Sequence, residues 1–320
     1  MKVSIIVSNY NYEVYLPLAI QSVLDQSYND FEIIIVDDES TDKSRDIIQR
    51  LHSQYPDKIT YIFQKNTGQG GAISTGFSAA KGDIISFLDS DDLWDEHKLS
   101  RIMKVFQEDS TVTGVIHKLQ VINKLGELGS SIEDVPKIPD GNLEHLLIET
   151  GAAWFYPPTS AITIRRSVLE TLLPVTSPEW KTSPDGCLMY GAGFLGKVIP
   201  IPEILGNYRR HGANTYARDK DEIESLEKQF DTLEKIEKTV QWINEFLSQI
   251  NKPYKVNLSK NLNYIRMKYY LNGKFDFKKA CEISVDIFRW KFYNPWQSII
   301  FFLRFWMKNV FFIASRNGKT

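Results

Sequence analysis

The sequence has few of the features that mark exported or nucleic-acid-binding proteins. Its 320 residues include two cysteines, Cys187 and Cys281, whose separation fits neither a disulfide framework nor a zinc site. The formal net charge is −2 at pH 7, so the chain lacks the basic footprint of a nucleic-acid-binding protein. The apolar run at residues 3–7 is too short for a signal peptide. We therefore expect a cytoplasmic protein that has no nucleic-acid partner.

The chain also lacks an apolar run of the roughly 20 residues that are needed to cross a bilayer. The nearest candidate, residues 299–313, is interrupted by Arg304, Lys308 and Asn309. Hydrophobic residues nevertheless make up 42% of the composition, which is enough to build one large domain and a smaller one. We expect a globular protein that does not span a membrane.

Strand-like and helix-like patterns alternate through the first half of the chain. Strands are predicted at residues 3–8, 31–36, 59–63, 84–88 and 112–121, and helices at residues 15–24, 42–52, 71–80 and 96–107. This alternation is typical of βαβ units. It predicts an α/β fold with a mostly parallel wound sheet and helices on both faces.

The fourth predicted strand ends in Asp89-Ser90-Asp91-Asp92, which places three carboxylates at the sheet edge where wound sheets bind ligands. Such carboxylates raise one another's pKa unless a cation neutralises them, and their hard oxygens suit Mg²⁺ or Mn²⁺. The alternative is a helix cap, with Asp91 or Asp92 starting a helix near residue 93. Capping accounts for one aspartate, so a metal and phosphate site is favoured, and Asp92 is expected to start the next helix.

Two further polar loops are predicted at the same edge, Ser8-Asn9-Tyr10-Asn11 after the first strand and Asp37-Asp38-Glu39-Ser40 after the second. With the acidic motif, and in this order, they resemble the family 2 glycosyltransferases over about residues 1–215. The resemblance implies a GT-A fold and inverting transfer of a sugar from a nucleotide-sugar donor.

The resemblance also implies roles for single residues. A uracil ring offers a flat face and an N3 donor, which suit the Tyr10 ring and the Asp38 carboxylate, with Ser8 and Asp37 beside them. Asp37 and Asp38 could alternatively form only a turn or cap. Asp91 falls at the position of the metal contact, while Asp89 falls nearer the ribose or a metal-bound water.

An inverting reaction needs a base for the acceptor hydroxyl. The matching segment is Ser183-Pro184-Asp185, and it makes Asp185 the candidate base, although Pro184 stands where the family has glutamate and Asp185 could also cap a helix. In the loop at residues 208–214, His211 is a candidate ligand for the metal or the diphosphate. The alternative for this histidine is an ordinary solvated loop.

The segment at residues 66–76 departs from the family pattern. Glycines, Ser74 and Thr75 replace the usual basic residue and Arg-Asn pair, which leaves Lys65 as the nearest cation for the donor. We expect these glycines to permit a close approach of the backbone to a ligand. The other four histidines, His52, His97, His117 and His145, are expected to be structural.

The C-terminal third has a different pattern. Residues 219–250 form a long amphipathic helix, which either packs within the protein or forms a homodimeric coiled coil. Residues 295–315 form a helix rich in aromatic residues, with Gln297, Arg304, Lys308 and Ser315 on one narrow stripe. This composition favours a membrane surface, and the alternative is a helix buried in its own bundle.

The predicted organisation is a GT-A domain at residues 1–215, with a nucleotide-binding half at 1–110 and an acceptor half at 111–215. A helical region follows at residues 216–320. The predicted function is inverting transfer, dependent on Mn²⁺ or Mg²⁺, from a UDP-sugar to a saccharide or lipid-linked acceptor in surface polysaccharide or glycolipid synthesis. The protein is expected in the cytoplasm or peripherally on the inner face of the membrane.

Two other functions are compatible with parts of this pattern. A sugar-phosphate nucleotidylyltransferase also binds nucleotides and metal on a wound sheet, but it is expected to have a basic glycine-rich loop where this chain has Ser8-Asn9-Tyr10-Asn11. A binding module that has lost catalysis is the other alternative, and it is kept open only by the departures at Pro184 and at Ser74 and Thr75.

Overall fold

The computed structural model describes residues 1–135, 138, 141–153, 156–174, 180–212, 226–290 and 294–317, without the side chains of 226–229 and 311–317. The described residues contain nine strands: β1 Val3–Asn9, β2 Phe31–Asp37, β3 Ile59–Phe63, β4 Ile84–Asp89, β5 Leu93–Trp94, β6 Val112–Asn123, β7 Leu128–Glu133, β8 Ile162–Arg165 and β9 Lys197–Arg210. The helices of the same residues are α1 Leu16–Leu24, α2 Ser44–Gln54, α3 Gly68–Ala79, α4 Lys98–Glu108, α5 Leu143–Glu149, α6 Arg166–Leu172, α7 Asp185–Leu195, α8 Leu226–Gln249, α9 Leu262–Leu271, α10 Phe277–Arg289 and α11 Pro295–Asn317. Short 3₁₀ turns lie at Thr159–Ala161 and Leu258–Lys260.

All nine strands form one sheet in the order β3-β2-β1-β4-β8-β6-β9-β5, with β7 paired to β6. Strands β3, β2, β1 and β4 are mutually parallel, and β9 is parallel to β6. Strand β8 is antiparallel to both β4 and β6, and β5 is antiparallel to β9. The predicted α/β fold is confirmed, and the pairing makes the sheet mixed in its second half.

Helices cover both faces of this sheet because its central strands are apolar on both sides. In β1, Val3, Ile5 and Val7 pack with α1, α2 and α4, while the side chain of Ile6 points to the opposite face. There it meets Gly76 of α3. The near-continuous apolar runs of β1, β2 and β4 are what a sheet buried on both faces requires.

Contacts divide the chain into two compact units, Met1–Leu143 with Tyr156–Asp219, and Glu144–Phe155 with Lys220–Thr320. The first unit contains the sheet. The second contains α8 to α11, and its core includes Tyr269 of α9, Ile283 of α10 and Phe305 of α11. Among the described residues, no helix has both the length and the apolarity that crossing a membrane requires.

The amphipathic helix predicted at residues 219–250 is α8, and residues 219–225 lie outside the described residues. Its side chains Val240, Ile243 and Leu247 are buried, whereas Phe230 is exposed. A homodimer through this helix stays a prediction, as do the functional halves at 1–110 and 111–215. The predicted boundary at 215 and 216 also falls outside the described residues.

The prediction of a helix that starts near residue 93 is wrong. Leu93 and Trp94 form β5, which pairs with Asn207 and Gly206 of β9, and α4 begins only at Lys98. A short strand forms here because the chain leaving β4 lies beside β9, whose backbone supplies the hydrogen-bonding partner. Local capping signals do not contain that information.

The packing of α3 on β1 and β2 depends on a glycine. A Cβ atom added at Gly76 would lie 2.6 Å from Cγ2 of Ile6 and 3.2 Å from Cγ2 of Val36. We expect Gly76→Val to lower the free energy of unfolding by about 2 kcal/mol, because the core has no room for it. Urea unfolding measures the effect. Ser78→Val places the same side chain at an exposed position of the same helix and is expected to cost about 0.7 kcal/mol or less; equal losses in the two variants would contradict this packing.

Candidate functional site

The register of the parallel strands brings the three predicted polar loops together. Ser8 of β1 lies beside Asp89 of β4, and Asn9 lies beside Asp37 of β2. The segments that follow these strands line a cleft of about 670 Å³, together with the start of α3. The cleft therefore lies at the carboxyl ends of parallel strands, as predicted for a wound sheet.

On the β2 side of the cleft, Asp38 is buried, and hydrogen bonds hold both oxygens of its carboxylate. Its Oδ1 accepts from Gln64 Nε2 at 2.8 Å and from the Thr67 backbone N–H at 2.9 Å, while Oδ2 accepts from the Gly68 N–H at 2.8 Å. The last two donors belong to the residues that open α3. Asp38 thus lines the cleft and also holds the N-terminal end of α3.

The neighbouring predicted nucleotide residues have different environments. The ring of Tyr10 is 48% exposed and lines the cleft. Asp37 is buried and accepts hydrogen bonds from Asn9 Nδ2 at 2.7 Å and the Ser40 N–H at 3.2 Å, so it supports the two loops from below. Lys65 is 91% exposed, and its Nζ lies 3.0 Å from Glu39 Oε1. The Lys65 side chain is thus engaged with a neighbouring loop residue.

Asp89, at the end of β4, lies among acids. Its Oδ1 accepts from Gln69 Nε2 at 2.5 Å and from Ser8 Oγ at 3.4 Å. Burial, followed by the charges of Asp91 and Asp185, raises the pKa of Asp89 well above its ordinary value. Asp185 is almost a hundred residues away in sequence, and Gln69 and Thr159 connect its carboxylate to that of Asp89 through hydrogen bonds.

The two predicted metal ligands are brought together. His211 Nε2 lies 2.9 Å from Asp91 Oδ2, and both side chains are more than nine-tenths buried. The imidazole stacks on the Tyr15 ring at 5.3 Å between centroids, and the Tyr12 ring meets it edge-on at 5.5 Å. Aromatic packing therefore fixes the orientation of His211 toward the acidic turn.

This pair fits part of a divalent cation site. Adjacent ligands of an octahedral cation with bonds of about 2.1 Å lie about 3 Å apart, which matches the separation of Nε2 and Oδ2. Among the described residues, however, no group of three or more His, Cys, Asp and Glu side chains is arranged to hold a metal. A cation at Asp91 and His211 would need further oxygen ligands from a substrate and from water.

Asp92 does not start a helix, contrary to the sequence prediction. Its side chain is buried, and Oδ1 accepts from the Arg209 backbone N–H at 2.9 Å. Arg209 is also buried, and its Nε donates to the Asp91 carbonyl oxygen at 2.7 Å. These bonds attach the end of β9, which leads into His211, to the acidic turn.

The candidate base, Asp185, is the first residue of α7 and follows Pro184 at the N-cap position. Its Oδ1 accepts a hydrogen bond from Thr159 Oγ1, and Oδ2 accepts from Ser183 Oγ at 3.3 Å. The alternative of Asp185 as the N-cap residue is wrong, because Pro184 occupies that position. Two hydroxyl groups therefore orient the carboxylate.

Sequence reasoning missed the residue that links the two sides of the cleft. Gln69 Nε2 donates to Asp89 Oδ1 and also lies 3.3 Å from Thr159 Oγ1, which in turn donates to Asp185. Gln69 lies in the first turn of α3 and Thr159 in a 3₁₀ turn, and no local sequence pattern marks either residue. The glycines beside Gln69 were the available signal.

Those glycines approach the protein's own backbone, and their close approach to a ligand stays a prediction. The Gly70 N–H donates to the Lys181 carbonyl oxygen at 3.0 Å, and a Cβ added at Gly70 would lie 2.4 Å from the Trp180 carbonyl oxygen. The start of α3 is therefore held against the segment that precedes α7. A larger side chain in place of Gly70 would have no room here.

The comparisons with known proteins agree with this geometry. The sequence model of glycosyl transferase family 2 matches residues 4–173. The chain belongs to this family. An uncharacterised glycosyltransferase of Nostoc sp. is 44% identical over 321 residues, covering 100% of this chain and 98% of the relative. The predicted glycosyltransferase family is confirmed.

Two relatives with named pathways match only about a third of this chain. The putative teichuronic acid biosynthesis glycosyltransferase TuaG of Bacillus subtilis is 38% identical over 109 residues, covering 34% of this chain and 43% of the relative. The GalNAc(5)-diNAcBac-PP-undecaprenol beta-1,3-glucosyltransferase of Campylobacter jejuni is 37% identical over 109 residues, covering 33% and 35%. The first relative is named for teichuronic acid biosynthesis, and the second is named as a glucosyltransferase for GalNAc(5)-diNAcBac-PP-undecaprenol.

Solved structures share the fold. TarS 1–349 of S. aureus has a TM-score of 0.59 at 16% identity, covering 91% of this chain and 81% of that chain. The mannosyltransferase PcManGT of Pyrobaculum calidifontis, in complex with GDP-Man and Mn²⁺, has a TM-score of 0.51 at 16% identity, covering 99% and 87%. These likenesses confirm the GT-A-like fold of this glycosyltransferase.

A buried basic pair lies behind the acidic turn. Lys98 Nζ donates to the Ser160 carbonyl oxygen at 2.7 Å and lies 3.4 Å from the centre of the Trp94 ring. Burial and the nearby Lys98 lower the pKa of His117 well below its ordinary value. His117 Nδ1 faces the Lys118 carbonyl oxygen at 2.9 Å, which is consistent with the expected structural role.

The depressed pKa of His117 predicts a loss of stability in mild acid. Below about pH 6.5 the unfolded chain protonates this residue while the folded chain does not, so stability falls as the pH decreases. We expect His117→Gln to remove about 1 kcal/mol of the stability difference between pH 7 and pH 5.5. Urea unfolding at both values measures it. His97→Gln, at an exposed position, is the control, and an unchanged pH dependence in His117→Gln would contradict the prediction.

Proposed function

We propose that this glycosyltransferase is inverting and uses a UDP-sugar donor with Mn²⁺ or Mg²⁺. The observation that carries the proposal is the arrangement of Asp89, Asp91 with His211, and Asp185 around the space beside one cleft. A nucleotide surface lined by Tyr10 and Asp38 lies along the same cleft. Separate sites for the donor nucleoside, the diphosphate and the acceptor hydroxyl are what this reaction needs.

The nucleoside would bind between the β1 and β2 loops. The half-exposed Tyr10 ring offers a face for stacking, and Asp38 is already fixed by three donors, so it can accept a further hydrogen bond from a base without reorganising. Ser8 and Asp37 would support these loops. Lys65 would reach the diphosphate only by leaving Glu39. TarS 1–349 in complex with UDP-GlcNAc, a fold neighbour with a TM-score of 0.55, favours a UDP-sugar.

The diphosphate would be bound next to Asp91 and His211. Carboxylate and imidazole are suitable ligands for Mn²⁺, and a bound cation would stabilise the charge of the leaving nucleoside diphosphate. The Mn²⁺ in the PcManGT complex supports this choice. Asp89, held by Gln69 and Ser8, would bind the ribose or a water of the cation.

Asp185 would be the general base. Its carboxylate takes the proton of the acceptor hydroxyl as that oxygen attacks the anomeric carbon, and the nucleoside diphosphate leaves from the opposite side. Thr159 and Ser183 are positioning residues, because each donates to one oxygen of the Asp185 carboxylate and so orients it. Attack from one side with departure from the other inverts the anomeric centre.

The acceptor is proposed to be a saccharide or a lipid-linked saccharide in surface polysaccharide or glycolipid synthesis. The names of the Bacillus subtilis and Campylobacter jejuni relatives support this class. A lipid-linked acceptor places the reaction on the cytoplasmic face of the membrane, with the protein bound peripherally. Membership of the glycosyltransferase family favours this function over nucleotidylyl transfer.

A panel of UDP- and GDP-sugars tests the donor. With Mn²⁺ present, the cognate UDP-sugar at a hundredfold excess over its Kd is expected to stabilise the protein by about 2.7 kcal/mol, a shift of several degrees in Tm. Omitting Mn²⁺ should reduce the shift. The second measurement is turnover: we expect release of UDP and a product whose anomeric configuration is opposite to that of the donor. A Tm shift without turnover would support the alternative of an inactive binding module. Formation of pyrophosphate from a sugar phosphate and UTP would support the nucleotidylyltransferase alternative.

Two variants test the base. Asp185→Asn is expected to lower kcat by at least about a hundredfold while the Tm shift with the donor is kept, because the amide cannot take the proton. Thr159→Val should lower kcat by about tenfold and move the pH profile of kcat, since the carboxylate loses an oriented donor. Thr171→Val, at an exposed position in α6, is the matched control. Full turnover by Asp185→Asn would remove this residue from the mechanism.

A further inference from the structure

Helix α11 is fixed in one orientation by buried polar contacts. Tyr269 Oη of α9 donates to Asn309 Oδ1 at 2.9 Å, and Trp306 Nε1 donates to Ser284 Oγ of α10 at 2.9 Å. Phe305 is buried between these contacts. One face of α11 is therefore committed to the core of the helical unit, and the direction of every other face follows from it.

The opposite side of α11 carries an exposed apolar stripe. Its members recur every three or four residues over four turns, and each has between 39% and 76% of its surface exposed. The stripe consists of Trp296, Ile299, Ile300, Leu303, Met307 and Val310. Phe288 of α10 is 53% exposed and contacts Phe302 next to the stripe. Contiguous apolar surface of this kind marks an interaction site.

Cations border the stripe. Arg304 and Lys308 are exposed and follow Leu303 and Met307 by one position each, so they lie along one edge of the stripe. The orientation confirms the buried alternative for one side of α11 only, and membrane binding by the exposed side stays a prediction. The apolar residues of α11 divide into a packed side and an exposed side. Along one edge, the basic side chains of Arg304 and Lys308 lie between these two sides.

The charge of the whole chain conceals a strong asymmetry. Residues 251–320 contain 14 Lys and Arg against 3 Asp and Glu, whereas residues 1–250 contain 24 Lys and Arg against 37 Asp and Glu. The region that carries the stripe is therefore strongly basic, in a protein whose net charge is −2. A basic region around an apolar stripe is complementary to a surface that is both apolar and negatively charged.

We propose that α11 docks this protein on the surface of an anionic lipid bilayer, with the stripe in the acyl boundary and Arg304 and Lys308 at the headgroups. Apolar, aromatic and basic side chains on one helix that does not span are the features of interfacial binding. A second copy of the chain is a poorer occupant, because pairing two stripes would bring two strongly basic regions together. The proposal deepens the peripheral placement suggested above, and its test does not depend on sugar transfer.

Sedimentation of the full chain with lipid vesicles tests the docking. Binding is expected to vesicles of phosphatidylcholine mixed with phosphatidylglycerol, to weaken with salt, and to be much lower with phosphatidylcholine alone. Leu303→Glu/Met307→Glu should lower the partition coefficient by about tenfold or more. Arg304→Gln/Lys308→Gln should lower it by about fivefold per cation on the anionic vesicles only.

Leu125→Glu/Leu128→Glu is the matched control, because both leucines are more than 70% exposed near the start of β7. This control should bind vesicles like the original protein. Each variant is checked by circular dichroism and Tm, and Ile300→Glu alone replaces any variant that loses its fold. Absent binding, or equal loss in the control, would overturn the proposal. So would light scattering that shows a dimer disrupted by Leu303→Glu/Met307→Glu while vesicle binding is unchanged, since the stripe would then join copies of the chain.

Discussion

The crowding of carboxylates at the end of β4 is the constraint on which the rest of the site depends. Three aspartates occupy four consecutive positions there, and Asp185 acts electrostatically on the first of them. Two like charges 4 Å apart repel by about 4 kcal/mol near a protein surface. Each acid accordingly has its own compensation: Gln69 and Ser8 for Asp89, His211 for Asp91, and the Arg209 backbone for Asp92. The site can hold this charge only while those partners are in place.

Strand β9 supplies most of that compensation, and this explains the unusual course of the chain after the acids. Arg209 is the last residue but one of β9 and His211 follows the strand, so the two contacts to the acidic turn come from positions two residues apart. Strand β5 leaves the turn at once and pairs with the preceding part of β9. At Gly206 an added Cβ would lie 2.8 Å from the Leu93 carbonyl oxygen, so this close pairing requires glycine. The turn is therefore held on both sides by one strand.

Sequence patterns predicted the elements that depend on local contacts and did not predict the pairings between distant segments. The first four strands and helices were predicted within a few residues, because short apolar runs and 3.6-residue patterns reflect the burial of each segment by itself. The antiparallel pairing of β8 with β4 joins segments almost 80 residues apart, and no pattern within either segment specifies the partner. Asp92 shows the same limit, since an acid that precedes a helix and an acid that binds a distant backbone N–H look identical in sequence. The convergence of the three polar loops was predictable because parallel strands share an edge.

The glycine-rich start of α3 shows how the two sides of the cleft depend on each other. Asp38 accepts from the Gly68 N–H, and the Gly70 N–H donates to Lys181, four residues before Asp185. Gln69 lies between them and contacts both Asp89 and Thr159. The first turn of α3 is therefore hydrogen-bonded to both sides of the cleft. At position 70 the absence of a side chain has a structural reason, because the Trp180 backbone carbonyl leaves room only for glycine.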